Sequence, residues 1–163
     1  MARAVRPEGL DFVERAPIQI RAETTIAAPV ATVWAGVADT PSWVEWFDGM
    51  KEARTTSPDP VGVGSTRSVV VPPLKVDEEI IAFDPEERFA FCFVGVNLPL
   101  IAAMVEVVTL EADGAATRVE YRQSAELVPW ARPLTPVLRR QLRGKVEASL
   151  VGLDRWAVAR SSG

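Results

Sequence analysis

The chain has no histidine among its 163 residues, and it has one cysteine, Cys92, and one tyrosine, Tyr121. Without histidine there is no Ser-His-Asp or Cys-His nucleophile in its usual form and no His-containing zinc site. A lone cysteine can form neither an intrachain disulfide nor a thiolate metal site, so the cytoplasm is the expected location. No D-x-D-x-D-G calcium loop occurs, and neither G-x-G-x-x-G nor G-x-x-x-x-G-K-[ST] is present, so neither a metal nor a cofactor is expected. No apolar run approaches the ~20 residues that a membrane-spanning helix needs. Arg3 and Arg6 are followed by no apolar stretch, which predicts no secretory leader. Basic charge is also short: the formal net charge of −4 leaves nucleic-acid binding without an electrostatic basis.

What remains is a composition of 48% hydrophobic and 25% charged residues, which suits one globular domain with a buried core. Residues 1–16 are polar and mixed and read as an N-terminal extension lying along a domain of residues 17–160. From Ile18 to Ile26 apolar and polar residues alternate, which describes a strand with one wet face. Pro29 then opens a short helix to Ala38, with Val30, Val33, Trp34 and Val37 at helical spacing. Asp39-Thr40-Pro41-Ser42 ends it and caps a second short helix carrying Trp43, Trp46 and Phe47.

Strands are expected near Lys51–Thr56, Ser65–Val71, Lys75–Phe83, Arg88–Val94, Ile101–Leu110 and Thr117–Leu127. Pro133 and Pro136 introduce a long final helix, with an apolar stripe of Leu138, Leu142, Val146, Leu150, Leu153 and Ala157. A run of hairpins gives a curved antiparallel sheet, and only the last helix is long enough to cover its concave face. The fold class is therefore α+β.

Several short motifs, in this order, resemble the START-like or Bet v 1-like (SRPBCC) superfamily, and within it the bacterial polyketide cyclase/dehydrase-type members. They are Ile26-Ala-Ala-Pro29, Val33-Trp34, Asp39, Trp46, Gly62-Val-Gly64, Phe83-Asp84-Pro85, Gly114 to Val119, and the amphipathic final helix. The resemblance runs from about Gln19 to Ala159. It implies a helix-grip fold: a seven-stranded antiparallel sheet wrapped around a long C-terminal helix, with two short helices between strands one and two. Members bind lipids, sterols, polyketides, hormones or quinones in a cavity, and a minority catalyse cyclisation. The superfamily shares no universal catalytic triad, so no active-site residue is carried over.

Connectivity predicts where such a cavity opens. Successive hairpin loops alternate between the two ends of a meander. One end collects polar loops. The other collects Val71-Pro-Pro-Leu74, Val96-Asn-Leu-Pro-Leu-Ile101 and Leu127-Val-Pro-Trp-Ala-Arg-Pro-Leu134, which are apolar. Clustered apolar loops mark a binding surface. Leu98, Leu100, Trp130 and Leu134 are candidate lip residues, unless these loops fold inward as a cap. Lys75, Arg132, Arg139 and Arg140 lie beside them, a pattern that suits transient contact with an anionic membrane surface or a ligand with an acidic head.

Strand parity assigns the walls. Phe89, Phe91 and Phe93 share one face, as do Val119, Tyr121 and Gln123, while Met104, Val108 and Leu110 point inward and take Glu106 with them. Leu138, Leu142 and Val146 face them from the helix. Trp43, Trp46 and Phe47 suit pocket lining and plain packing equally, Trp34 suits core, and Cys92 falls on the outer face as an inert thiol. A carboxylate on an apolar wall must be paired, protonated or wet. Arg67 and Arg122 are candidate partners for Glu106, which reads as an internal ion pair, as a polar anchor, or, after a strand shift, as a carboxylate in water. Glu106, Tyr121 and Arg67 are also the only catalytic candidates, in an enolisation or aldol closure.

Three functions stay open: carriage or sensing of a hydrophobic small molecule, a cyclase or dehydratase working by substrate positioning, and a protein-interaction module using the apolar end. The first expects no catalysis. No residue pattern speaks to oligomeric state.

Overall fold

The computed structural model describes residues 3–162. The alternation from Ile18 builds strand β2 (Ile18–Ile26), with β1 the two-residue Arg3–Ala4 before it. Short helices α1 (Phe12–Arg15), α2 (Val30–Ala38) and α3 (Trp43–Trp46) follow in the connections. Six further strands are β3 (Glu52–Thr55), β4 (Thr66–Val71), β5 (Leu74–Asp84), β6 (Arg88–Val96), β7 (Ile101–Asp113) and β8 (Ala116–Leu127). A 3-10 turn at Pro129–Leu134 leads into the long helix α4 (Thr135–Ser161). The sheet order is β2-β8-β7-β6-β5-β4-β3, antiparallel throughout, with β1 paired to β6 off that path. This is the helix-grip fold: a curved sheet holding a helix against its concave face.

Two local differences from the sequence reading have clear causes. Phe47 is not helical, because α3 ends at Trp46 and the Phe47 backbone is already extended. The side chain of Asp39 accepts from the backbone N–H of Ser42 at 3.1 Å, so it caps the 3-10 turn Thr40–Ser42 that precedes α3.

The N-terminal segment is more tightly bound than its mixed composition predicts. Phe12, Val13 and Ala16 are buried against Ala82, Ala90, Cys92, Ala103, Val105 and Val107 on the convex face of the sheet. Those sheet residues are small, so α1 lies close and shields a patch that water would otherwise meet. A register shift between Ile80 and Ala82 makes this arrangement, since it turns Ala82 outward while Ile80 stays inside.

On the concave side α4 is seated by its C-terminal half. Leu150, Leu153, Trp156 and Ala157 are buried, and Trp156 rests on Gly36 of α2. At Gly152 the helix comes so near α3 that an added Cβ would overlap the backbone carbonyl of Trp46. That carbonyl cannot yield as a flexible side chain would, so Gly152→Ala must push the helix away. We expect a loss of about 2–3 kcal/mol of stability in urea denaturation, against at most ~1 kcal/mol gained from helix propensity. Gly144→Ala, on an open face of the same helix with nothing near its Cβ, is the control and stabilises.

Candidate ligand-binding site

Where α4 lifts away from the sheet, a cavity of about 370 Å³ remains between them. Strands β4 to β8 contribute to it with their inward residues nearest the mouth and then stop contributing at one common depth. On β6 Phe93 and Phe91 line the space but Phe89 does not; on β7 Ile101, Met104 and Glu106 do but Val108 does not. On β8 Leu127, Ala125, Gln123 and Tyr121 line it, on β5 Leu74, Val76 and Glu78, and on β4 Val71 and Val69. Helix α4 adds Leu138, Gln141, Leu142 and Lys145 from its first three turns, and Trp43 and Phe47 close the inner end with Met50. The result is a blind pocket. From Ile101 at its mouth to Glu106 at its floor the path follows β7 for roughly 17 Å of strand.

The sheet side of the wall is apolar down to the floor, where polar side chains gather, while Gln141 and Lys145 of α4 add polar groups on the helix side. Glu106 is 4% exposed, and its Oε1 accepts from Tyr121 Oη at 2.7 Å and from Gln123 Nε2 at 2.7 Å. Its Oε2 makes no hydrogen bond among the described residues, and the residue lines the cavity. Register explains the grouping, because Glu106 pairs with Gln123 and neighbours the Val108–Tyr121 pair. Alongside, Glu78 Oε2 accepts from Arg67 Nε at 2.5 Å, two directly opposed residues of β4 and β5. The Arg67 guanidinium lies 4.2 Å from the Trp43 ring centre and 4.4 Å from that of Phe91. Its Nη1 and Nη2 have no hydrogen-bond partner among the described residues, so the aromatic faces are what offsets their burial.

Two carboxyls thus share a dry site with one guanidinium. Burial pushes Glu78 up to about 7, and the nearby Glu106 adds to that while Arg67 opposes it. Glu106 is also raised by burial, against the hydrogen bonds from Gln123 and Tyr121. Burial raises Tyr121 well above its ordinary value, with Glu106 adding to it, so it stays a hydroxyl donor.

Trp43, Phe47, Phe91, Phe93, Leu98, Leu100, Met104, Glu106, Tyr121, Leu138 and Leu142 all border the cavity. Trp46, Phe89, Val108 and Val146 do not; they lie below the floor in solid core, where Phe89 packs on Trp34 and Trp43 and the Trp46 indole N–H reaches the Gly36 carbonyl. Trp130 and Leu134 are not wall residues either, being 62% and 43% exposed on the 3-10 turn outside the mouth. Arg67 sits behind Trp43 and Phe91 rather than in the cavity, and Arg122 points to the convex face, where it bonds Glu14 at 2.9 Å. Glu106 is therefore held by Tyr121 and Gln123 and not by either arginine. Sequence reading missed Glu78 and Gln141. Glu78 falls in the unbroken polar run Asp77-Glu78-Glu79, where a register shift between Asp77 and Glu78 hides which side chain turns inward.

A second depression, about 340 Å³, is lined by Arg21, Glu23, Glu111, Arg118 and Glu120, whose charges pair with one another at the surface. Among the described residues no cluster suits a metal ion and no helix is long and apolar enough to cross a membrane.

Comparison with known proteins agrees with this geometry. The sequence profile of a family described as polyketide cyclase/dehydrase and lipid transport matches residues 17–157. The uncharacterized protein Rv2574 of Mycobacterium tuberculosis is 31% identical over 153 residues, 93% of this chain and 92% of that protein. Among solved structures, TTHA0849 from Thermus thermophilus superposes with a TM-score of 0.72 at 21% identity, covering 88% of this chain and 99% of that one. Ara h 8.0201 gives 0.71 at 15% identity, covering 86% and 97%. DynU16, of the dynemicin biosynthetic locus, gives 0.62 at 20% identity over 85% of this chain and 46% of that one.

The raised carboxyls predict a distinctive pH response. Between about 4.5 and 7 the folded protein keeps a proton on Glu78 that the unfolded chain has released, so stability falls as pH rises through that window. The urea midpoint should drop from pH 5 to pH 8, and the slope should flatten in Glu78→Gln. A midpoint rising across that range contradicts the assignment.

Proposed function

Because the chain belongs to the polyketide cyclase/dehydrase and lipid transport family, we propose that it binds a hydrophobic small molecule in the blind cavity and ties one oxygen of it to Glu106. The observation that carries this reading is the contrast between wall and floor. Mostly apolar side chains line the length of the pocket, with Gln141 and Lys145 of α4 among them, and a hydrogen-bonded carboxyl group stands at its inner end. Specific small-molecule sites have this build: mostly apolar contact for affinity, with a few fixed polar groups for orientation.

With its proton on Oε2, Glu106 donates to a ligand carbonyl or hydroxyl oxygen, while Tyr121 and Gln123 hold the other carboxyl oxygen in place. A free carboxylate is a poor fit at this floor, because Arg67 stands behind Trp43 and Phe91 outside the cavity and the floor itself carries Glu78 and Glu106. The ligand class is thus an elongated apolar molecule ending in a neutral oxygen function. Carriage or sensing needs nothing more than this. The same Tyr121–Glu106 contact suits proton transfer at a ligand carbonyl, the reading in which the domain is a cyclase or dehydratase.

Native mass spectrometry of freshly purified protein should reveal a co-purified apolar compound, and Nile red should bind the emptied protein. Ala125→Trp fills the cavity from β8 and should abolish dye binding while far-ultraviolet circular dichroism stays unchanged. Glu106→Leu, which removes the donor, should weaken a carbonyl-bearing ligand by about tenfold, the value of one hydrogen bond to a buried group, whereas Glu106→Gln keeps a donor and should bind it near the wild-type level. Undiminished dye binding in Ala125→Trp rules out the cavity as the site. A recovered ligand that is chemically altered by the wild type but not by Glu106→Gln selects the enzymatic reading.

A further inference from the structure

We propose that the open end of the domain docks on an anionic lipid bilayer, with the 3-10 turn and the first turns of α4 as the docking surface. Among the described residues six large apolar side chains are exposed, and three of them, Trp130, Leu134 and Val137, fall within eight consecutive residues. Val44, Val63 and Val151 are the others and stand singly elsewhere. The three flank the cavity mouth, since Leu138 and Leu142 of the same helix and Leu127 just before the turn line its wall. Across the mouth, Pro72, Pro73, Leu74 and Leu98 form the facing apolar lip.

Charge selects the occupant. From Leu127 to Val146 the chain has five basic residues, Arg132, Arg139, Arg140, Arg143 and Lys145, and no acidic one, although its net charge is −4. Lys145 pairs with Asp48 at 3.1 Å. The four arginines are exposed and have no carboxylate partner among the described residues; Arg139 reaches only the Pro17 carbonyl. Elsewhere eight arginines, at 6, 15, 21, 67, 88, 118, 122 and 160, pair with carboxylates, and Arg3, Arg54 and Arg155 stand unpaired but scattered among the described residues. Lys75, exposed on the facing lip, adds a further cation. An exposed tryptophan and aliphatic tips ringed by unpaired arginines match a lipid surface: the apolar tips enter the headgroup region, and the arginines meet phosphates. The cavity mouth then faces the membrane, so an apolar ligand passes between bilayer and pocket without crossing bulk water.

Co-flotation with phosphatidylcholine vesicles containing about 30 mol % phosphatidylglycerol tests this, with pure phosphatidylcholine vesicles as the comparison. Binding should appear with the anionic vesicles, fall steeply as salt is raised, and drop at least tenfold in Trp130→Ser and in the double variant Arg140→Glu, Arg143→Glu. None of these residues lines the cavity, so Nile red binding in solution should stay at the wild-type level. A failure of docking is thereby separated from a failure of the proposed ligand site. Equal binding to both vesicles, or none to either, overturns the proposal. So does concentration-dependent dimerisation abolished by Trp130→Ser without vesicle binding, which assigns the face to a second copy of the chain.

Discussion

The close approach of α4 to α3 at Gly152 decides which half of the interior is solid. A helix drawn down onto the Trp46 carbonyl at its C-terminal half cannot also follow the curvature of the sheet at its N-terminal half. The lower space is filled by aromatic rings, with Trp34, Trp43, Phe83, Phe89 and Phe91 meeting edge to face or tilted. The upper space stays open between the sheet and Leu138 and Leu142 of α4, which line it. A cavity in a close-packed protein requires this kind of standoff, since interiors otherwise collapse to crystal-like density.

The polar floor marks the boundary between these halves. A buried Arg67–Glu78 pair is not in itself a stabilising choice, since the desolvation of both ions consumes much of their attraction. Here the guanidinium is clamped between Trp43 and Phe91, so the pair also fixes where those rings sit. Burial in the same wall raises Glu106 above the usual carboxylate range, against the hydrogen bonds from Gln123 and Tyr121 and the Arg67 charge.

Much of this was legible in the residues. Alternation in β2 and in the Phe89–Phe91–Phe93 run assigned the inner face, and the order of strands, short helices and final helix specified the grip. The absence of histidine narrowed the chemistry, and apolar hairpin loops identified the open end. The depth of the pocket was not legible. Phe89, Phe91 and Phe93 share one parity, yet only two of them meet the cavity, and nothing in their spacing says so. Val146 and Leu142 likewise share the helix stripe but lie on opposite sides of the floor.

Local periodicity, then, determined which side chains point inward, because a strand repeats every two residues and a helix every 3.6 whatever surrounds them. It also determined that Glu106 stands on an apolar wall. Tertiary structure alone decided that Glu78 joins it, that Tyr121 and Gln123 hold it in place of Arg67 or Arg122, and that the extension at Phe12 seals the outer face. The physical reason is the same in each case. A bulge, a helix standoff and a cross-strand register arise from contacts between elements distant in sequence, and their effects leave no period in any single one.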